Sequence, residues 1–227
     1  MKKPVPIALT PKTSKLAKQP DTAIYHGHRE WYIVSFICAI ILLITSSYLA
    51  HRQGLLSWET RSFRWINDWP NSLHTYFKIV SIAKESTLIA VIAVVGAFIF
   101  RRWRLAWRLA ATTVAGFALI FLLKHFIDRP RPAGLLSDVH LRWTDTGNGF
   151  PSGHVMVVTV ILLTLIPYLP KMWRWIVPAG IILMALSRPY LGLHAPLDVI
   201  GGFAAGLLVV SFVRIMPQAL RVFFRLD

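Results

Sequence analysis

Six apolar stretches without charged residues recur along the chain, separated by polar segments. They cover residues 31–50, 86–100, 109–123, 155–169, 175–186 and 199–213. As a helix the first would reach roughly 30 Å, which matches the hydrocarbon thickness of a bilayer. Basic residues at the ends of the shorter stretches can extend them by snorkelling. The pattern therefore predicts an all-α fold, an integral membrane bundle of six transmembrane helices over residues 31–215.

The two terminal segments outside this pattern are basic and are predicted to be tails. Residues 1–30 contain four prolines and no apolar periodicity, which predicts a disordered basic cytoplasmic tail. Residues 216–227 form a second basic tail. The first apolar stretch is too long, and begins too far along the chain, to be a convincing secretory signal, so we expect it to be retained.

Residues 55–84 form the first loop between apolar stretches, and their aromatic and aliphatic residues recur at helical spacing until Pro70. This pattern favours an interfacial helical outer loop that is broken near Pro70. For the role of this segment we favour the simpler interpretation, an aromatic belt at the membrane surface with no part in substrate choice.

Charge supports the membrane interpretation. Only 15% of the 227 residues are charged, against about 25% in soluble domains. The 25 Lys and Arg residues exceed the 10 Asp and Glu residues, and they are concentrated in segments on one side of the predicted spans. The positive-inside rule then places both termini in the cytoplasm, with anionic lipids rather than nucleic acid as partners of that face. Short loops suggest a bacterial inner membrane.

Residues suited to chemistry gather in three clusters, at residues 124–132, 150–154 and 187–198. With a cytoplasmic N-terminus, all three clusters fall on the outer, periplasmic face. Because they are far apart in sequence, they can meet only through folding, which is typical of a single active site.

Five residues in these clusters have the chemistry of a phosphate site. Lys124, Arg131 and Arg188 supply positive charge, and arginine matches phosphate oxygens with two parallel hydrogen bonds. Gly153 allows close approach of the backbone to a ligand. Ser152 either caps the fourth helix or binds a phosphate oxygen.

His194 and Asp198 are four residues apart and would share a helix face if the helix begins near His194. A carboxylate on one imidazole nitrogen leaves the other basic, which makes a nucleophile. His154 is then a candidate proton donor. The same three side chains could instead form a metal site of two histidines and one carboxylate, but the surrounding cations would repel a divalent ion. We predict neither metal nor cofactor.

Three ordered motifs carry a resemblance to a known family. They are Lys-x6-Arg-Pro from Lys124, Pro-Ser-Gly-His at residues 151–154, and Ser-Arg-x5-His-x3-Asp from Ser187 to Asp198. Over residues 31–215 the chain resembles the type 2 phosphatidic-acid phosphatases, also called lipid phosphate phosphatases. The family includes soluble haloperoxidases, but the apolar stretches argue against that membership.

The resemblance implies a six-helix membrane core and metal-independent hydrolysis through a phosphohistidine. His194 would be the nucleophile, Asp198 would orient it, and His154 would protonate the leaving group. The phosphate-binding residues would be Lys124, Arg131, Ser152, Gly153 and Arg188.

The predicted function is hydrolysis of a lipid phosphate or diphosphate. A polyprenyl diphosphate is slightly favoured over phosphatidylglycerol phosphate, phosphatidic acid or a lipid A phosphate. The alternatives are a lipid phosphotransferase using the same histidine and, from a different class, a membrane transporter.

Other polar residues receive less specific interpretations. We expect His125 and Arg129 to be interfacial residues or supports behind the site. Asp138, Arg142 and Asp145 are expected to be solvated loop residues rather than contacts to a lipid headgroup.

Overall fold

The computed structural model describes residues 29–52, 54–81 and 86–216. These ranges contain α-helices and short 3-10 helices but no strand. Most of the two predicted tails lies outside the described residues. The α-helices are α1 (Arg29–Ala50), α2 (Ser57–Asn67), α3 (His74–Val80), α4 (Ser86–Ile99), α5 (Trp103–Ile127), α6 (Gly153–Leu165), α7 (Ile176–Tyr190) and α8 (Pro196–Ile215).

Three helical segments are long and apolar enough to cross a membrane, namely Glu30–Ala50, Trp103–Gly134 and Pro196–Ile215. Two shorter apolar helices cover Thr87–Ile99 and Gly153–Tyr168. Together with α7 (Ile176–Tyr190), these helices match all six predicted apolar stretches, and the described residues form an all-helical membrane protein.

Helix α5 differs from the predicted third span because it begins earlier, at Trp103. Arg104 and Arg108, which the sequence pattern assigned to a loop, therefore lie inside the helix. Arg108 is buried and donates a hydrogen bond to the Tyr168 hydroxyl at 3.1 Å, so its guanidinium has a polar partner within the bundle. The helix ends where Asp128 adopts a left-handed conformation with φ of 45°.

Helix α8 packs along α1, α6 and α5 and forms the centre of the bundle. Small residues make this packing close, as the sequence predicts. A Cβ atom at Gly206 would lie 2.9 Å from the Met156 carbonyl oxygen, and one at Gly202 would overlap the Ser152 carbonyl oxygen. Helices α6 and α8 thus approach backbone to backbone just behind the second motif.

The loop that precedes α4 contains α2, a 3-10 turn at Asn71–Leu73, and α3. The break near Pro70 is observed. Helix α2 packs against α7 and α8, and its Asn67 amide donates hydrogen bonds to the carbonyl oxygens of Pro189 at 3.0 Å and Tyr190 at 3.2 Å. Its Trp65 remains 66% exposed. One face of α2 therefore packs against the bundle and forms hydrogen bonds with it, while the other face carries an exposed aromatic residue.

Candidate active site

The three motifs meet at one end of the bundle, which we call the site end (residues 124–154, 187–198 and α2). Arg131 Nη1 donates to the Leu193 carbonyl oxygen at 3.1 Å, which joins the first motif to the third. The Ser152 amide donates to the Asp198 carbonyl oxygen at 2.9 Å, which joins the second to the third. His154 and Arg188 line the same small pocket, together with Asp145 and Leu193. The predicted convergence of the clusters is confirmed as geometry.

His194 lies just before α8 rather than within it, because that helix begins at Pro196. The sequence assumption of a shared helix face is therefore wrong, yet His194 Nδ1 still lies 3.5 Å from Asp198 Oδ2. Asp198 Oδ2 also accepts a hydrogen bond from the Ala195 amide at 2.8 Å, in the first turn of α8. This bond holds the carboxylate beside one nitrogen of the imidazole.

His194 is buried, with only 2% of its surface exposed. Burial lowers the pKa of its imidazole to about 4; Asp198 opposes the shift, and the positive charges of Arg131 and Lys124 add to it. At neutral pH the ring is therefore uncharged and retains a free lone pair.

Arg131 and Lys124 donate to acceptors from one short segment, residues 145–148. Arg131 reaches the Asp145 carboxylate at 2.9 Å and the carbonyl oxygens of Gly147 at 2.9 Å and Thr146 at 3.0 Å. Lys124 Nζ donates to the Asn148 carbonyl oxygen. The expectation that Asp145 is merely solvated is wrong, since it forms an ion pair with a predicted phosphate ligand.

Arg188 lies at the C-terminal end of α7 and is only 1% exposed. Its Nε donates to the Ser187 hydroxyl at 3.1 Å, and its Nη2 donates to the Ser81 hydroxyl. Ser81 follows α3 and belongs to no motif. The loop that carries α2 and α3 therefore contributes a side chain to the site.

The second motif places Ser152 at the N-cap of α6, but its hydroxyl does not cap the helix. This buried oxygen has no hydrogen-bond partner among the described residues. Gly153 is the first residue of the helix, and the buried His154 follows it. The start of α6 thus offers a hydroxyl group and helix-end amides, the groups that bind anions elsewhere.

Arg129 lies behind the site, which is one of the two positions that the sequence predicts for it. Its side chain is completely buried, so an interfacial position is wrong and a support behind the site is what the contacts indicate. It forms ion pairs with Asp198 at 3.0 Å and with Glu59 of α2 at 2.7 Å. Glu59 was missed altogether, and the one signal for it was an acid within an otherwise aromatic, amphipathic segment.

A larger groove of about 830 Å³ lies away from the motifs, between α1, α5 and α8. All of its lining residues are apolar, among them Phe36, Trp107, Ala115 and Phe212. It therefore offers no group that could bind or transfer a phosphate. Within the described residues, no three His, Cys, Asp or Glu side chains form a group that could hold a metal ion.

The part of the chain that carries the three motifs matches a known protein family. The family model of the PAP2 superfamily matches residues 103–221, slightly more than half of the chain. The chain belongs to the PAP2 superfamily. The resemblance inferred from the three motifs is thus confirmed.

Two relatives have phosphatase names. The chain is 34% identical over 205 residues to an undecaprenyl-diphosphatase of Sulfolobus acidocaldarius, covering 84% of this chain and 93% of the relative. It is 32% identical over 168 residues to phosphatidylglycerophosphatase B of Bacillus subtilis, covering 68% of this chain and 79% of the relative. Both names agree with the prediction that this PAP2 protein is a lipid phosphatase.

Two crystal structures have a similar fold. LpxE of Aquifex aeolicus superposes with a TM-score of 0.63 and 26% identity, over 70% of this chain and 95% of that one. A transmembrane PAP2-type phosphatidylglycerolphosphate phosphatase from Bacillus subtilis gives a TM-score of 0.60 and 24% identity, over 81% and 93% of the two chains. The second similarity supports the membrane fold alone.

Proposed function

We propose that this PAP2 protein hydrolyses a lipid phosphate or diphosphate through a phosphohistidine intermediate on His194. The observation that carries the proposal is a buried, uncharged imidazole beside the Asp198 carboxylate, at the point where arginines from two motifs converge. Neutral imidazole is the nucleophilic form, and a carboxylate on Nδ1 leaves Nε2 as the attacking nitrogen.

In the first step, Nε2 of His194 attacks phosphorus and the bond from phosphorus to the leaving oxygen breaks; that oxygen belongs to the lipid in a monoester and bridges the two phosphates in a diphosphate. His154 gives a proton to that oxygen as it leaves. In the second step, water attacks the phosphohistidine while His154 takes the proton of the water, and inorganic phosphate is released. Asp198 stabilises the positive charge that His194 acquires in the intermediate.

The phosphate oxygens are bound by Lys124, Arg131 and Arg188, with Ser152 and the Gly153 amide at the start of α6. Phosphate monoester hydrolysis can require accelerations of up to ~10²¹, and fixed positive charge around the equatorial oxygens is the chief means of supplying them. The unpartnered Ser152 hydroxyl supports this role, because a buried hydroxyl group is normally paired.

A polyprenyl diphosphate is the favoured substrate. The relative named undecaprenyl-diphosphatase aligns with 84% of this chain, a larger share than the phosphatidylglycerophosphatase. A site on the outer face also suits the recycling of an isoprenoid carrier. Phosphatidylglycerol phosphate, phosphatidic acid and a lipid A phosphate are the other candidates.

The proposed topology has six spans, in which α4, α6 and α7 complete the bundle formed by α1, α5 and α8. Both termini lie in the cytoplasm, where anionic lipids neutralise the basic segments, and the site end faces the periplasm of a bacterial inner membrane. The presence of all predicted motif residues at one end of the helices supports this arrangement.

Phosphate release by purified protein in detergent tests the proposal. The substrates are a polyprenyl diphosphate, phosphatidylglycerol phosphate, phosphatidic acid and lipid A, each with EDTA, and the control is His194→Ala. We expect release by the wild type alone, with a ³²P-labelled phosphoenzyme trapped by rapid quenching at alkaline pH. Equal release by His194→Ala would overturn the assignment of the nucleophile.

The same assay separates the alternatives. A phosphorylated second lipid, formed when acceptor lipids are added, would identify phosphotransfer. Substrate flux into vesicles that is undiminished in His194→Ala, with no hydrolysis by the wild type, would identify transport.

A further inference from the structure

A buried carboxylate outside the three motifs lies directly behind the site. Glu59, on α2, has a fully buried side chain, and both of its oxygens accept hydrogen bonds. Oε1 accepts from Arg129 Nη1 at 3.2 Å and from the Leu197 amide at 3.1 Å. Oε2 accepts from Arg129 Nη2 at 2.7 Å and from the Leu56 amide at 3.2 Å. A carboxylate this well satisfied has one fixed position.

Arg129 links Glu59 to Asp198. Its Nη1 donates to Asp198 Oδ1 at 3.0 Å, and its Nη2 also donates to the Gly54 carbonyl oxygen at 3.0 Å. The planar guanidinium group is thus held between two carboxylates, neither of which is exposed. A lysine could not make this pattern of contacts, because its ammonium group lacks the planar fork.

The connection continues to His194. Asp198 Oδ1 is bound by Arg129, and Asp198 Oδ2 is bound by the Ala195 amide and lies beside His194 Nδ1. Both oxygens of this carboxylate therefore have assigned partners, and rotation of the side chain would break one of the two hydrogen bonds. The orientation of Asp198 towards the imidazole depends on Arg129, which in turn depends on Glu59.

The charges in this group matter as much as its geometry. Arg129 alone would neutralise Asp198, and the field of the carboxylate at His194 would be weakened. Glu59 balances the guanidinium charge, so the three side chains together keep one net negative charge. In a buried, weakly polar environment that charge interacts strongly with a positive charge developing on the imidazole.

We propose that Glu59 is a positioning residue for the reaction, acting through Arg129 to orient Asp198 and preserve its negative charge beside His194. The inference rests on the proposed roles of His194 and Asp198. It gives α2 a part in catalysis, beyond contact with the membrane surface.

The test is the variant Glu59→Gln, which keeps the shape of the side chain and removes its charge. We expect kcat to fall about 10- to 100-fold, as small losses of orientation do, with KM changed less than about twofold because no phosphate ligand is altered. The matched control is Asp138→Asn, which likewise replaces a carboxylate by an amide. Asp138 forms an exposed ion pair with Arg64, which lies on α2 as Glu59 does. This control variant should retain wild-type kinetics.

A double-mutant cycle separates positioning from general stabilisation. If Glu59 acts through Asp198, then Glu59→Gln should have little further effect in an Asp198→Asn background. Equal effects of Glu59→Gln in both backgrounds, or wild-type kcat in the single variant, would overturn the inference. A fully active Asp198→Asn would instead refute the proposed role of Asp198, and this inference with it.

Folding is checked by size-exclusion chromatography and thermal melting in detergent. Should Glu59→Gln fail to fold, Arg129→Lys replaces it in the same cycle, since it keeps the positive charge but cannot contact both carboxylates in the same way. A selective loss of kcat that disappears in the Asp198→Asn background supports the inference, and wild-type kcat contradicts it.

Discussion

The two ends of the helical bundle are built in different ways. At the site end, charged side chains such as Arg129 and Arg188 are buried and bonded, and small residues bring the helix backbones together. Towards the other end, α1, α5 and α8 leave a groove of about 830 Å³ that is lined only by apolar residues. The site end must fix a few polar groups to within tenths of an ångström, whereas lipid chains can fill the groove without any specific contact. Substitutions at the site end should therefore have much larger effects than substitutions in the groove.

The largest effect is expected from Asp198→Asn. The amide is similar in size but offers neither the charge nor the two acceptor oxygens that the carboxylate supplies to Arg129, Ala195 and His194. We expect kcat to fall between about 10²- and 10⁴-fold while the fold is retained, as in other enzymes where the partner of a histidine is changed in this way. Phosphate release and thermal melting measure the two quantities, and wild-type turnover would contradict the orienting role.

Close helix packing should show the next largest effect. Gly202→Ala places a methyl group against the Ser152 backbone, and we expect a loss of about 1–3 kcal/mol in stability together with reduced activity. Gly96→Ala is the matched control on α4, because no atom lies within 4 Å of the added Cβ. Melting in detergent should separate the two variants; equal melting temperatures would mean that α6 and α8 can move apart freely.

The protonation state of His194 gives a third test. Because burial lowers the pKa of its imidazole to about 4, the ring should stay neutral at pH 5.5, where an unperturbed histidine would be roughly nine-tenths protonated. The ¹³Cε1 NMR signal of labelled histidine, assigned by its absence in His194→Ala, follows this titration. A midpoint near 6.5 would mean that the site is hydrated and the imidazole is not held as described.

A smaller effect is expected from Asp145→Asn. If Arg131 binds phosphate as proposed, the Asp145 carboxylate competes with that phosphate; the ion pair of Arg131 and Asp145 is partly exposed, with side-chain exposures of 13% and 27%. Removing its charge should tighten inhibition by inorganic phosphate by about two- to fivefold, the range of a partly exposed pair. Weaker inhibition would mean that Asp145 helps to assemble the site instead.

The smallest effect is expected in the groove. Ala115→Leu partly fills it with a side chain suited to lipid surroundings, and activity should stay within about twofold of wild type because no site residue is touched. A strong loss of activity would show that the two ends are coupled, and the contrast between them would fail.

The sequence predicts the helices well because an apolar stretch in a membrane protein has few alternatives to a helix. It also predicts the meeting of Lys124, Arg131, Arg188, His194 and Asp198, since each belongs to an ordered motif. The length of α5 was underestimated because the third stretch was defined by uncharged residues alone, whereas Arg108 lies inside the helix and donates to the Tyr168 hydroxyl.

The pairing of Glu59 with Arg129 could not be predicted from the sequence for a different reason. Their interaction joins positions 70 residues apart, and neither residue has a neighbourhood pattern that indicates burial. Charged residues are rarely fully buried unless they are paired, and the pairing is visible only after α2 has docked on the ends of α7 and α8.

The attachment of α2 bears on how a lipid headgroup reaches the cavity. Asn67 holds the carbonyl oxygens of Pro189 and Tyr190, and Glu59 holds the Leu197 amide, so this short helix is fixed at both ends to the bundle. Lifting it would separate Glu59 from Arg129 and from the Leu197 amide, and would leave the buried Glu59 carboxylate without these partners. Under the proposed function, a lipid headgroup would therefore enter beside α2 rather than by displacing this helix.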